Sequence, residues 1–351
     1  MKLDDLARKR TELLKGSGPR SDIAVSSRVR VARNIKGHTY FNRANDRQRE
    51  KTLKLMMSAM KKSGFLKNAL FLKMREVAEV DRLFLVERYL MSREHMTAVE
   101  HKGLVVEDKE IVSAMINEED HLRLQVLQSG FDLMEAWRIT DDIDTDLARH
   151  IEFDFSNRFG YLTSCPTNTG TGLRASVMLH LSALVLDGQI DNVFDAISKL
   201  GLTMRGFYGE GTEALGDFFQ ISNQVALGHS EMDILDNLER IINRIITREE
   251  KTREKLLARR KEEIADRVHR AQATLKSARI ITSYETISLM SDIRLGVNLG
   301  ILKGLDGPGI NEIILLAQPG HLQKILGGAI APHERDIKRA DLIREKLGDG
   351  E

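Results

Sequence analysis

Ser164-Cys165-Pro166-Thr167-Asn168-Thr169-Gly170-Thr171-Gly172-Leu173-Arg174-Ala175-Ser176-Val177 brings together the one cysteine of the chain, two glycines and an arginine that heads an apolar run. The pattern predicts a loop that feeds a helix over residues 174–186. Glycines let backbone amides approach a ligand closely, a helix start favours anions, Arg174 adds a planar cationic fork, and Cys165 becomes a thiolate where positive charge surrounds it. An anionic ligand and a reactive centre would meet here. Each feature alone also has an ordinary reading, since a lone cysteine is commonly a small buried hydrophobe and Gly-Thr-Gly commonly a plain turn. The rest of the chain decides between the two.

The 351 residues carry 53 Lys+Arg against 52 Asp+Glu, a formal net charge of +1. That balance speaks against a general nucleic-acid binder. One cysteine forms no internal disulfide and no zinc site of the usual kind. Met1 to Lys15 is charged and has no apolar core, so it does not read as a signal peptide, and no apolar run reaches the roughly 18 residues of a membrane span. A soluble, cytoplasmic protein of two domains is expected, with about 150 residues per domain as the guide.

Upstream, residues 1–20 read as a short polar helix that Gly16-Ser17-Gly18-Pro19 ends. Ile23 to Ala32 alternates as a strand, which puts Arg28 and Arg30 on one face. Two such arginines repel unless an anion or a carboxylate lies between them, and a salt-bridged sheet face is the plain alternative. Asn45 to Lys62 is an amphipathic helix that buries Leu53, Met56, Met57 and Met60. Phe84 to Met91, Gly103 to Glu107 and Glu110 to Ile116 have strand character. Asn117-Glu118-Glu119-Asp120-His121-Leu122-Arg123 follows, and its three consecutive carboxylates need cations if they are buried. Gln125 to Ala136 and Asp142 to Glu152 look helical, with Asp141 or Asp142 as N-cap. Phe159 to Thr163 reads as a strand and Phe194 to Leu200 as a helix. Thr203 to Tyr208 reads as a strand that ends at the glycine-flanked Gly209-Glu210-Gly211-Thr212-Glu213, and Phe218 to Ala226 as another. Runs of strands mixed with helices, without strict alternation, imply an α+β domain with a mainly antiparallel sheet.

From Glu231 the composition becomes helical, with Ile234, Leu238, Ile241, Ile242 and Ile245 at helical spacing. Thr282-Ser283-Tyr284-Glu285 is a capping box for a helix over 287–302. Gly307-Pro308-Gly309 reads as a turn before a helix over 310–317, and Pro319 as the first turn of the next. The division expected is a short segment 1–20, a catalytic domain 21–250 and an all-α domain 251–351. The apolar stripes of 234–246 and 287–302 suggest a homodimer interface.

Taken with Ser26-Ser27-Arg28-Val29-Arg30 and Arg205-Gly206-Phe207-Tyr208, these segments resemble the catalytic domain of the phosphagen (guanidino) kinases, and more narrowly the bacterial protein arginine kinases, over roughly residues 20–250. The resemblance implies transfer of the γ-phosphoryl group of ATP to a guanidinium nitrogen. It implies ATP contacts at Ser27, Arg28, Val29, Arg30 and Val31, at His121 and Arg123, at Arg174, Ala175, Ser176, Val177 and Met178, and at Arg205, Gly206, Phe207, Tyr208, Gly209 and Glu210. Glu119 and Glu213 would hold the guanidinium and one of them take its proton. Cys165 would orient it, and Glu118 would reach a nucleotide-borne Mg²⁺ through water. Tyr89, Thr169 and the Phe207-Tyr208 insertion depart from the family pattern. Only about twenty residues precede the first arginines, where small-molecule relatives carry a helical domain of about a hundred, so a more open site and a larger acceptor are expected.

In the tail, Arg335-Asp336-Ile337-Lys338-Arg339-Ala340 places Arg335 and Arg339 four apart on a helix. A solvated helix face is the ordinary reading of such a pattern. The resemblance implies a phosphoarginine pocket at Arg335, Asp336, Arg339 and Ala340. It also implies protein substrates with exposed arginines, a heat-shock repressor among them, an activator with zinc motifs, and delivery of marked proteins to a Clp-type protease as part of a stress response. The rival readings are a kinase for free arginine or another small guanidino compound, and a non-catalytic phosphoarginine-binding adaptor.

Overall fold

The computed structural model describes residues 3–7, 11–206 and 215–348. Two short helices, α1 (Leu3–Ala7) and α2 (Glu12–Lys15), precede β1 (Ala24–Arg33). There follow α3 (Asp46–Lys62), β2 (Leu70–Lys73), α4 (Glu79–Glu87), β3 (Gly103–Val106), β4 (Val112–Ile116), β5 (Leu122–Ser129) and α5 (Leu133–Ala148). Next come the small hairpin β6 (Phe155–Ser156) and β7 (Gly160–Tyr161), β8 (Leu173–His180), α6 (Ser182–Leu186), α7 (Ile190–Lys199), β9 (Leu202–Gly206) and β10 (Phe218–Asn223). The remainder is helical: α8 (Glu231–Arg259), α9 (Lys261–Ser277), α10 (Ser283–Asn298), α11 (Gly307–Leu316), α12 (Pro319–Ile325) and α13 (Pro332–Lys346).

Eight strands form one sheet in the order β2-β3-β4-β5-β1-β8-β10-β9, and every neighbouring pair runs antiparallel. Strand periodicity sorts its side chains onto two faces. Val29, Val31, Val105, Ala114, Ala175 and Val177 point to one face, which α3, α5, α7 and α8 cover to make the main core. The opposite face is covered at its two ends only. Leu104, Val106 and Met115 pack there against Phe84 and Leu85 of α4, while Leu127, Met178 and Phe218 join a second core built from α9, α10, α11 and α13. The uncovered stretch between these two packings is where the site lies.

Several expected elements differ. Phe84 to Met91 is not a strand; its first part belongs to α4, because a short unalternating apolar run fits a buried helix turn as well as a strand. The helix expected over 125–136 begins as the end of strand β5, which runs to Ser129, and α5 starts only after Asp132, whose carboxylate accepts from Glu135 N and is the N-cap. Arg174 to Leu186 opens as strand β8, with α6 at its end. β8 lies between β1 and β10 and its residues alternate, with Leu173, Ala175, Val177 and Leu179 in the main core and Arg174, Ser176 and Met178 on the other face, a period of two that marks a strand and that the helix expectation passed over. Gly307 and Pro308 are inside the first turn of α11, capped by Asp306.

The proposed dimer faces are also revised: Ile234, Leu238, Ile241, Ile242 and Ile245 pack on the sheet, and Ile287, Met290, Ile293 and Leu302 fill the helical core, so both stripes are buried within the chain. Residue 250 falls inside the continuous helix α8, which sends Ile234–Ile246 into the first core and Leu256 into the second.

Candidate active site

On the uncovered face the register sets basic side chains next to one another. Arg30 of β1 stands opposite Arg174 of β8, and Arg28 opposite Ser176. Arg123 of β5 pairs with Ala32, and Arg205 of β9 with Gln220 of β10. Arg28, Arg30, Arg123, Arg174 and Arg205 all line one cavity of about 770 Å³, together with Glu118 and Glu119. Arg174 therefore reaches the site as a cross-strand partner of Arg30, not from a helix start.

The guanidinium groups are crowded. Arg28 Nη2 donates to Gln220 Oε1 (2.7 Å) and Arg174 Nη2 to Ser222 Oγ (3.2 Å), while Nε of both Arg30 and Arg174 is buried without a hydrogen-bond acceptor among the described residues. Burial, then the charges of Arg123 and Arg174, push Arg28 down to about 10. Burial and the charges of Arg28, Arg123 and Arg174 lower Arg30 further. Half-buried cations with idle donors and like-charged neighbours form a site suited to an anion. One carboxylate offsets part of this: Arg123 Nη1 donates to both oxygens of Glu118 (2.6 and 2.7 Å), and Ser92 Oγ donates to Oε1 (2.6 Å). Burial works against the Glu118 charge, yet Arg123 and Ser92 outweigh it and hold the carboxyl below its usual range.

The Cys165 loop sits at the edge of this face. Ser164 N donates to Asp120 Oδ1 (2.6 Å), Asn34 Nδ2 donates to the same oxygen (2.6 Å), and His121 N donates to Asn34 Oδ1 (2.9 Å). Asn34 and Asp120 thus bind the cysteine loop to the glutamate turn, which brings the Cys165 side chain near the Glu119 carboxyl. Thr163 Oγ1 donates to Cys165 O (2.7 Å), and Cys165 Sγ lies 3.0 Å from Thr167 Oγ1. Partial enclosure of the Glu119 carboxyl, followed by the charge of Asp120, raises its affinity for a proton. From behind, Arg33 fastens the loop: its Nη1 donates to Thr171 O (2.9 Å), its Nη2 to Asp144 Oδ2 (2.7 Å), and its guanidinium stacks 3.5 Å from the Tyr161 ring centroid.

Not every expected contact survives. His121 is turned away: Ile35 N donates to its Nδ1 (3.0 Å) and its Nε2 meets Thr39 O (3.0 Å), so both ring nitrogens serve the backbone and burial lowers its basicity. Ser27, Val29, Val31, Ala175 and Val177 lie on the opposite face; the valines and Ala175 are in the core, and Ser27 Oγ donates to Gly130 O (2.9 Å). The glycines serve the protein's own packing. A Cβ at Gly170 would lie 2.7 Å from Ala226 O, and one at Gly172 would lie 2.5 Å from Arg33 Nη1. Phe207, Tyr208, Gly209, Glu210 and Glu213 lie outside the described residues. Ser176 and Met178 remain on the arginine face, Met178 in the cavity wall, and Gly206 pairs with Phe219 in the sheet. Asn34, Asp120, Ser92, Gln220 and Ser222 were missed as partners. Strand alternation through Phe218, Gln220 and Ser222 was the available signal for the last two.

Among the described residues no three His, Cys, Asp or Glu side chains cluster to hold a metal. The donor set fits a hydrated Mg²⁺ that arrives on nucleotide phosphates, since that ion takes only one or two protein carboxylates, and Glu118 is a cavity carboxylate held by its ion pair with Arg123.

Residues 51–252 match the model of the ATP:guanido phosphotransferase C-terminal catalytic domain, and residues 261–351 that of the protein-arginine kinase McsB C-terminal domain. The chain belongs to the protein-arginine kinase family. A protein-arginine kinase of Halothermothrix orenii is 45% identical over 348 residues, 99% of each chain, and one of Bacillus subtilis is 44% identical over 337 residues, 95% of this chain and 92% of that one. Among solved structures, the duplicated taurocyamine kinase of Schistosoma mansoni with bound transition state analog components aligns with a TM-score of 0.59 at 25% identity, covering 71% of this chain and 35% of that one. A lombricine kinase gives a TM-score of 0.57 at 24% identity over 65% of this chain and 66% of that one, a likeness of fold. The family's guanidino-kinase sheet is the one described above, and the protein is an ATP-dependent guanidino phosphotransferase.

Proposed function

We propose that the protein transfers the γ-phosphoryl group of ATP to arginine side chains of other proteins. The observation that carries this is one cavity lined by Arg28, Arg30, Arg123, Arg174 and Arg205 together with Glu119, with the Cys165 loop held beside Glu119 through Asp120. Arg28, Arg30, Arg123 and Arg174 would hold the triphosphate, each by charge-assisted donors that now lack partners or share one. Mg²⁺ carried by the nucleotide would supply further neutralisation of phosphate charge, and Glu118 would be the carboxylate that receives it through water. Glu119 would accept hydrogen bonds from the incoming guanidinium, and Cys165 would fix its plane. A guanidinium nitrogen has no free electron pair until it loses a proton; Glu119, whose proton affinity is already raised, takes it. The freed pair forms the N–P bond, the bond from γ-phosphorus to the β,γ-bridging oxygen breaks, and ADP leaves with that electron pair. Glu213 is a second candidate for the proton acceptor from the family pattern.

With ATP and a basic protein as acceptor, acid-labile protein-bound phosphate is expected, and little with free arginine. Glu119→Gln is expected to lower turnover at least about a hundredfold, the lower range of a general base's contribution, with ATP affinity kept within a few-fold. Its acid limb should lie above that of an unshifted glutamate and vanish in the variant. Near-normal turnover of Glu119→Gln would overturn the assignment, transfer confined to free arginine would point to a small-molecule kinase, and no transfer at all to an adaptor.

The finer expectations rest on the family resemblance: a cytoplasmic setting, a zinc-motif activator, a heat-shock repressor among the substrates, a Clp-type protease downstream, and a homodimer, which would need faces other than the two now buried. Among the described residues no helix is long and apolar enough to cross a membrane. A phosphoarginine pocket at Arg335, Asp336, Arg339 and Ala340 belongs to the same proposal, and its test is given below.

A further inference from the structure

Glu118 is the carboxylate that enters the arginine row. It pairs with Arg123, and it is close enough to Arg30 for the two charges to stabilise each other. Arg30 Nε is buried without an acceptor among the described residues, so a carboxylate that left Arg123 would find a donor there and would take the place of an anion. What holds Glu118 is a residue outside the motifs read from the sequence. Ser92, half-buried in the cavity wall after α4, donates from Oγ to Glu118 Oε1 (2.6 Å). Its own position is fixed twice: Ser92 N donates to Met115 Sδ (3.3 Å) on β4, the strand that leads into the glutamate turn, and Ser92 Oγ accepts from His95 N (3.1 Å). A hydroxyl oxygen that accepts from a backbone N–H has one proton to give, and here it goes to Glu118. His95 is pinned in turn, since its Nε2 meets Gly103 O (2.9 Å) on β3. Lys102, another cation that Glu118 feels, spends its ammonium group on Glu94 O (3.0 Å) and Thr97 O (2.8 Å).

The two partners of Glu118 differ in what an incoming phosphate does to them. Arg123 is a cation that phosphate attracts, whereas the neutral hydroxyl of Ser92 has its one proton engaged and no charge for phosphate to draw. We propose that Ser92 is a positioning residue for the phosphate site: it keeps the Glu118 carboxylate on the Arg123 side and so leaves Arg30 open to the anion. The inference rests on the kinase reading for the identity of that anion as a nucleotide's phosphates. Without the Ser92 hydroxyl, Glu118 becomes a competitor for the guanidinium donors, and a tethered one that no dilution removes.

Titration calorimetry of the full chain with inorganic tripolyphosphate, free of divalent metal, tests the assignment, because any contact of Glu118 with Mg²⁺ then drops out. Ser92→Ala is expected to weaken tripolyphosphate about tenfold, the lower range for a hydrogen bond to a charged group. In a Glu118→Gln background the same change should cost less than about twofold, because no carboxylate remains to compete. If Ser92 only caps the turn Glu94–Met96, the loss will be equal in the two backgrounds, and that result would overturn the proposal. Unchanged binding in Ser92→Ala would overturn it as well. Ser92→Cys keeps the shape of the side chain with only a weak donor and should repeat both results, so the comparison stands even where alanine disturbs the fold. Failure of the unaltered protein to bind either tripolyphosphate or Mg-ATP would instead overturn the kinase reading.

Discussion

Replacing Arg28 by methionine should make the ligand-free protein more stable and reduce its stabilisation by ATP. Arg28 is held at about 10 from a usual 12.5, a drop of about 2.5 pKa units, or about 3 kcal/mol at 1.36 kcal/mol per unit. The sign follows from linkage: a base whose folded pKa is depressed costs the folded state its full amount at any pH below the folded value, and the cost is relieved only as pH rises from about 10 towards 12.5. At neutral pH the whole cost is present. Methionine removes it and also removes the hydrogen bond to Gln220 Oε1, which returns about 1 kcal/mol. A net gain of about 1–2 kcal/mol remains, or roughly 2–4 °C in Tm for a chain of this size.

ATP narrows this gain or reverses it. At a concentration 100 times its Kd, ATP stabilises the unaltered protein by about 2.7 kcal/mol. Loss of one charge-assisted phosphate contact, worth about 1.5–3 kcal/mol, weakens binding by roughly ten- to a hundredfold and leaves the variant about 0.4–1.4 kcal/mol of stabilisation at the same ATP concentration. Differential scanning calorimetry with and without Mg-ATP therefore shows a variant that melts higher alone and whose ATP-dependent shift is about half that of the unaltered protein or less. A variant that melts lower without ligand and keeps a full ATP shift would refute the reasoning, since Arg28 would then be an ordinary structural arginine.

Two further outcomes can be measured. Asp217, pushed up to about 6 chiefly by burial, keeps its proton in the folded state while the unfolded chain loses it near 3.8; stability should therefore fall as pH rises from about 4 to 6, and Asp217→Asn should flatten that slope and stabilise the protein by up to about 3 kcal/mol at pH 7, with urea denaturation at a series of pH values as the check and an unchanged slope as the contrary result. For the tail, phosphoarginine should bind the full chain and free arginine should not, and Arg335→Ala should weaken phosphoarginine at least about tenfold through loss of one charge-assisted contact; calorimetry showing equal affinities for the two ligands, or none lost in the variant, would make this face a plain helix surface.

What the sequence disclosed depended on how many faces each element exposes. β1 alternates because Arg28 and Arg30 face a cavity while Val29 and Val31 face the core, so the period of two is visible. β8 shows the same period, Leu173, Ala175, Val177 and Leu179 against Arg174 and Ser176, so it too was legible as a strand, and the helix expected there followed the glycine loop before it and not this alternation. The helical third was legible from its caps: Thr282 accepts from Glu285 N as expected, and Pro319 opens α12. Long-range polar pairing was not legible. Nothing local in Asn34 marks it as the clamp between Asp120 and His121, 86 and 87 residues away, and His121, adjacent to three carboxylates in sequence, gives no sign that its ring turns to the backbone of Ile35 and Thr39.

The geometry of the tail determines which of its arginines can report on a ligand. Arg339 is 1% exposed, and its guanidinium donates to Ala317 O (2.6 Å) and Ile281 O (2.8 Å) and pairs with Asp336. Ala317 is followed at once by Gln318 and Pro319, which line the nucleotide cavity, and α12 is then fixed to the catalytic domain by Glu87, which accepts from Gly320 N (2.7 Å) and His321 N (2.8 Å). A Cβ on Gly320 would lie 2.7 Å from Phe84 N, so the helical domain meets α4 here with no room between backbones. Arg339 is therefore a tie in the wall of the nucleotide cavity, and its removal leaves two buried carbonyls without a donor. Lost phosphoarginine binding in Arg339→Ala would follow from a shifted wall as readily as from a lost contact. Arg335, half-buried on the same helix and outside that network of carbonyls, is the position at which a change in affinity reads the ligand itself.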